Sequence, residues 1–176
     1  MIANFLSALR FPLALALIPL LWHAHWLWAF TLVLIAIASD VTDGYVARNF
    51  AHPTRLGGLL DHGSDAFLVV CGLGTFAARS DIPTALPILI SLAFFQYLWD
   101  SGAMTRGALR ASLIGKMNGL AYIGFLVVLI GLNALQIRDQ AHTLLTATAW
   151  ILVVSTLLSM VDRARHTIQA ARSPNS

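Results

Sequence analysis

Four of the chain's eight acidic residues, all of them aspartates, lie between Asp40 and Asp65. Asp40 and Asp43 are three residues apart and Asp61 and Asp65 four apart, so in helices each pair shares one face. The flanking residues are strongly apolar, and an ionised carboxylate at membrane depth is costly unless it is paired, hydrated or bound to a cation. Four such groups brought together would repel one another. Hard divalent cations are therefore expected among them, and oxygen-only ligands suit Mg²⁺ or Mn²⁺ better than zinc. A diphosphate would complete the coordination. The cations would neutralise its oxygens and stabilise the leaving phosphate, while one carboxylate with spare basicity took a proton from an attacking hydroxyl.

The elements that must position these acids are set by an apolar solvent. Of 176 residues 58% are hydrophobic and 11% charged, and the mean hydropathy is +0.76, far from the balance of a water-soluble domain. The apolar residues come in blocks of about 20, the length that crosses a hydrocarbon core. These run from Ala3 to Trp22, Trp26 to Arg48, Leu59 to Arg79, Thr84 to Arg106, Met117 to Ile137 and His142 to Asp162. The expected fold is an all-α integral membrane bundle of about six transmembrane helices, forming a single domain over residues 1–176, with residues 164–176 as a peripheral tail. The first block lacks a basic leading region and a small-residue cleavage site, so it is expected to be retained.

Basic residues set the orientation, because Lys and Arg in short loops stay on the cytoplasmic side. Arg48, Arg55, Arg106, Arg110, Lys116, Arg163, Arg165 and Arg172 fall at the second and fourth breaks and the C-terminal tail. Arg79 and Arg138 lie at the opposite breaks, each closely followed by an acid, Asp81 or Asp139. Both termini are thus expected in the cytoplasm, as is the chemistry, since the longest polar stretches share that side. The net charge of +3 fits this bias together with attraction to anionic head groups of membrane lipids; nothing points to nucleic acid. His23 and His25 with Trp22, Trp26 and Trp28 fit an aromatic belt at the other interface. A single cysteine, Cys71, excludes an intrachain disulfide and makes a small buried side chain the plain reading.

Glycines accompany the acids. Gly44 follows Asp43 and offers room for close ligand approach, Gly57-Gly58 suits a turn, and Gly63 lies between Asp61 and Asp65. For each glycine alone, close helix packing is the simpler explanation. Written out, the segment is Asp40-Val-Thr-Asp43-Gly44-Tyr-Val-Ala47-Arg48, eight residues, Gly57, three residues, Asp61, three residues, Asp65. This resembles the signature of the CDP-alcohol phosphatidyltransferase family at every fixed position, and most closely suggests its bacterial phosphatidylglycerophosphate synthase-like members. The resemblance implies that Asp40, Asp43 and Asp61 are metal ligands. Asp65 would complete the metal site and act as general base, and Gly44, Ala47, Arg48 and Gly57 would border the cytidine diphosphate. It implies a transferase of phospholipid biosynthesis in the bacterial plasma membrane that uses a CDP-linked donor such as CDP-diacylglycerol and an alcohol acceptor, and releases CMP. A homodimer is expected on the same ground. Ahead of the signature, Asn4, Ser7, Arg10 and Pro12 resemble a conserved family arrangement, with Asn4 and Arg10 weighed equally as membrane-interface anchors or as contacts to the nucleotide.

The acceptor is less sharply written. Arg110 and Gly115-Lys116 resemble a segment that holds the phosphate of acceptors such as glycerol 3-phosphate, the best match, although these cations could serve topology alone. Asp61-His62-Gly63 instead looks like the choline and ethanolamine phosphotransferases, an alternative acceptor class. His62 could assist proton transfer, orient a carboxylate or bond a neighbour. Gln96 and Asp100 share a face that could line the acceptor cavity, with pairing to Arg106 the favoured role for Asp100. His52, His142 and His166 form no metal-ligand pattern. A membrane prenyltransferase lacks the Ala-Arg and Gly spacing found here. A cation transporter or an inert scaffold leaves Arg48, Arg110 and Lys116 unexplained.

Overall fold

A computed structural model describes the backbone of residues 2–50, 55–100 and 113–172, and the side chains of residues 8–42, 57–99 and 114–165. Among the described residues the regular structure is entirely helical: α1 (Ile2–Trp22), α2 (Trp26–Phe50), α3 (Arg55–Ala78), α4 (Ala85–Asp100), α5 (Leu113–Ala134) and α6 (His142–Arg172), with one 3-10 turn at Asp139–Ala141. These helices coincide with the six apolar blocks to within a few residues at most boundaries. α6 runs on past the apolar block that closes at Asp162, through the basic segment to Arg172, so the start of the tail continues the last helix as its sequence leads one to expect. Among the described residues two stretches, Ile114–Ala134 and Asp139–Arg165, are long and apolar enough to cross a membrane, and Ala8–Trp22, Trp26–Thr42 and Ala85–Trp99 are shorter apolar helices.

The helices touch in a closed ring, α1 to α2, α2 to α5, α5 to α6, α6 to α4, α4 to α3 and α3 back to α1. α3 and α5 also meet across the middle, which divides the ring into two halves. Gly72 permits that crossing. A Cβ there would lie 2.7 Å from Leu126 Cδ1 of α5 and 3.2 Å from Leu17 Cδ2 of α1, closer than carbon atoms pack. Around it Leu17, Leu73, Phe76, Leu126 and Leu129 are fully buried. The outward faces are apolar as well: Leu27, Leu92, Leu120, Leu144, Ile151 and Leu158 are all exposed. A water-soluble bundle would present charged residues there; these faces suit hydrocarbon.

Each hairpin of the ring turns the same way at the end opposite the aspartates. Ala24, Ser80 and Gln136 follow α1, α3 and α5 with φ of 59°, 61° and 58°, the left-handed conformation that closes a helix. In each, two backbone bonds seal the turn, as in His25 N–H to Leu20 O at 2.8 Å and Ala24 N–H to Leu21 O at 3.2 Å. Arg79 then donates from Nη1 to the carbonyls of Leu21 (2.8 Å) and Trp22 (3.1 Å), satisfying the end of α1. Its guanidinium also lies 5.3 Å from the centre of the Trp26 ring. Asp81 binds both Arg79 (3.4 Å) and Arg138 (2.7 Å). The acid after Arg79 therefore ties two hairpin turns together.

Candidate active site

Asp40 comes from the inner face of α2, and Asp61 and Asp65 from successive turns of α3. Their carboxylate oxygens lie within 4.8 Å of one another. The neighbour that reconciles them is Arg10 on α1, whose side chain is 1% exposed. Its Nη2 lies 2.9 Å from Asp40 Oδ1 and 3.2 Å from Asp61 Oδ1. Its Nη1 donates to Asp65 Oδ1 at 2.6 Å and to Ser64 Oγ at 3.1 Å. Ser64 is itself buried and donates to the backbone carbonyl of Asp61 at 2.9 Å, so its one proton is spent on α3 and its lone pair is free to accept from Arg10. The planar fork of an arginine can serve several oxygens at once.

Of the two sequence expectations for Arg10, the structure overturns the outer-interface anchor, since the side chain is buried among carboxylates of the protein. Ser64, between Asp61 and Asp65, was not singled out; a hydroxyl within the acidic motif was the available signal. Asn4, Asp43, Gly44, Ala47 and Arg48 lie on α1 and α2, with side chains outside the described residues, as is the Asp100 side chain. His52, Arg106 and Arg110 lie outside the described residues altogether. Gly57 sits in the first turn of α3. Gly63 packs towards α4: a Cβ there would meet Phe94 Cζ at 3.5 Å, an ordinary contact, which fits helix packing.

Three carboxylates converging with oxygen donors alone fit a hard divalent cation. Asp40, Asp61 and Asp65 are the group that could hold one among the described residues. An ion there would share its ligands with the Arg10 guanidinium, so cation and arginine together would balance the negative charge.

The cluster opens on a cavity of about 340 Å³ in the second half of the ring, between α3, α4, α5 and α6. Asp40, Asp65, Lys116 of α5 and Arg163 of α6 all line it, and Val69, Ile90, Phe94 and Ile123 supply apolar wall. The volume is that of a small-ligand site. Lys116, expected from sequence at the acceptor, is thus brought to the same cavity as the aspartates. Arg163, read from sequence only as a topology signal, joins it; its guanidinium lies 5.1 Å from the Tyr97 ring centre. His62 packs edge-on against Tyr97 with centroids 5.7 Å apart. Gln96 lines the cavity as expected and donates from Nε2 to Met160 O at 3.0 Å.

Also missed from sequence was a polar row on the α5 and α6 walls. Tyr122 and Thr156 are buried and joined at 2.6 Å, and Ser155 Oγ donates to Asn118 Oδ1 at 2.6 Å. The available signal was helical spacing: Asn118 and Tyr122 lie four apart, and Ser155, Thr156 and Ser159 interrupt an apolar run.

A protein of Cereibacter sphaeroides named CDP-diacylglycerol--glycerol-3-phosphate 3-phosphatidyltransferase is 32% identical over 124 residues. The match covers 68% of this chain but 56% of that relative, so the chain spans somewhat over half its length. No solved structure matches the chain. A family model described as CDP-alcohol phosphatidyltransferase matches residues 1–169, which takes in the three aspartates, Arg10 and the whole cavity lining: the chain belongs to the CDP-alcohol phosphatidyltransferase family.

Proposed function

We propose that this protein is a phospholipid-synthesising enzyme of the bacterial plasma membrane, spanning it with six helices and facing the cytoplasm with its active site and both termini. It would transfer a phosphatidyl group from CDP-diacylglycerol to glycerol 3-phosphate and release CMP. The observation that carries this reading is one cavity lined both by aspartates and by Lys116 with Arg163. The name of the relative from Cereibacter sphaeroides supports the donor and the acceptor, and the one-sided distribution of Arg and Lys supports the orientation.

A divalent cation, Mg²⁺ or Mn²⁺, held by Asp40, Asp61 and Asp65 with Asp43, would neutralise the diphosphate of the donor and stabilise the departing CMP. The remaining steps belong to the chain. Gly44, Ala47, Arg48 and Gly57 border the cytidine diphosphate, with Asn4 beside it. Arg10 fixes the three carboxylates in place. Lys116, Arg163 and Arg110 hold the acceptor phosphate, a dianion that needs cations in a cavity of this kind. The acceptor hydroxyl oxygen attacks the lipid-side phosphorus, the bond to CMP breaks with its electron pair leaving on CMP, and the hydroxyl proton passes to Asp65. Arg10 engages Asp65 through Oδ1, so Oδ2 is the oxygen assigned to that proton.

An aminoalcohol phosphotransferase has one feature in its favour, the aromatic wall of Phe94 and Tyr97, which would suit an ammonium group. Arg163 already covers the Tyr97 ring, and the diacylglycerol acceptor of such an enzyme carries no phosphate for Lys116 and Arg163 to hold. A cation transporter is disfavoured by Arg10, a fixed cation at the ion ligands. The discriminating experiment measures CMP release by the purified protein across donor and acceptor pairs. CDP-diacylglycerol with glycerol 3-phosphate, inositol phosphate or serine is compared with CDP-choline and diacylglycerol. Release with glycerol 3-phosphate is expected; release only with CDP-choline, or metal flux without CMP, contradicts the proposal.

A further inference from the structure

The α5 and α6 walls of the cavity carry polarity that phosphate binding does not use. Asn118 is 6% exposed and lines the cavity, and its Nδ2 has no hydrogen-bond partner. Its Oδ1 is held by Ser155 Oγ at 2.6 Å. Turning the amide over would satisfy Nδ2 only by orphaning the oxygen, so in either orientation one polar atom is left over. Leaving such a buried group unpaired is costly, and a polar group with nothing to bind is seldom kept in an apolar bundle.

Tyr122 completes the pattern one helical turn away. Thr156 Oγ1 donates to Leu152 O at 2.6 Å, which uses its one proton. The 2.6 Å bond between Tyr122 Oη and Thr156 Oγ1 must then be donated by the tyrosine. The tyrosine oxygen keeps its lone pairs as acceptors, and the Asn118 amide is close enough to interact with it without closing a hydrogen bond of good geometry. The wall therefore offers a spare donor at Asn118 and a spare acceptor at Tyr122. A hydroxyl group is both donor and acceptor, and can complement the two together. Thr156 and Ser159, three residues apart, lie on the same face of α6 as Arg163, and all three line the cavity. The hydroxyl wall is thus roughly one to two turns below the phosphate-binding cations, each turn about 5.4 Å.

We propose that Asn118 and Tyr122 form a recognition pocket for a second, non-reacting hydroxyl of the acceptor, which selects polyol phosphates over phosphates bearing one hydroxyl. This rests on the reading of the cavity as the acceptor site. In glycerol 3-phosphate the pocket takes the 2-hydroxyl while the 1-hydroxyl faces Asp65. The pocket is a specificity device, separate from the carboxylates that act on the reacting atoms.

The test compares glycerol 3-phosphate with 3-hydroxypropyl phosphate, which lacks the 2-hydroxyl, in CMP release by the full chain. The wild type should have a kcat/KM for the deoxy acceptor about 10- to 100-fold lower, the worth of one or two buried hydrogen bonds. In Asn118→Leu and Tyr122→Phe the ratio of the two kcat/KM values should fall towards one, with the loss on glycerol 3-phosphate appearing chiefly in its KM. Equal use of both acceptors by the wild type overturns the pocket while leaving the phosphatidyl transfer intact, as does an undiminished ratio in both variants. Release with neither acceptor but with CDP-choline and diacylglycerol removes the acceptor reading and the pocket with it. Should a variant fail to fold, the wild-type ratio alone decides.

Discussion

At Arg10 one guanidinium meets Asp40, Asp61 and Asp65 at 2.6–3.2 Å. Breaking a buried ion pair by removing one partner strands the other, at about 3–5 kcal/mol for full burial; these carboxylates are 29–40% exposed, so the loss should be smaller. Arg10→Met is accordingly predicted to lower the melting temperature in detergent when divalent cations are chelated, and saturating Mg²⁺ should restore much of the loss because the ion neutralises the same oxygens. Thermal melts with and without chelator check this; a loss unaffected by Mg²⁺ would count against a shared role for arginine and ion. The acids at this site were legible in sequence from their spacing and from the cost of burying carboxylates. Arg10 was legible as a site residue but not in its partners, because nothing in a local pattern shows that a residue on α1 will enter a cluster supplied by α2 and α3. Ser64 and the Asn118 row were harder still, since single polar residues in apolar helices satisfy many roles.

At the scale of elements, the hairpin turns and the α3–α5 crossing carry predictions of their own. Ala24 holds a left-handed conformation that costs an L-residue about 1–2 kcal/mol. Ala24→Gly should stabilise the protein by roughly 0.5–1 kcal/mol after the entropy of the unfolded glycine is offset, seen as a higher melting temperature. Gly72→Val pushes branched carbon into Leu126 and Leu17 and should destabilise by about 1–3 kcal/mol, measured in the same way. Asp81→Ala releases Arg79 and Arg138 at the end of the bundle remote from the aspartates. It should lower stability with kcat and KM for CMP release unchanged, a separation that steady-state kinetics can read. The helices themselves followed from apolar length, and their ends from polar residues and short turns. The ring order did not, because apolar faces that suit lipid and faces that suit a neighbouring helix are built from the same residues.

For the whole molecule, the carboxylates lie where α2 and α3 meet the cavity between α3, α4, α5 and α6, with Asp40 and Asp65 in its wall. In the proposed reaction these acids act together, with ions, donor and acceptor assembled at one mouth. This central claim is tested most directly by Mg²⁺-dependent CMP release from CDP-diacylglycerol and glycerol 3-phosphate, comparing wild type with Asp65→Asn and Asp61→Asn. The account predicts release by the wild type that stops on chelation, and a fall in kcat of about 10²–10⁴-fold for Asp65→Asn, with Asp61→Asn equally impaired and both variants folded. Wild-type rates in folded Asp65→Asn would contradict it.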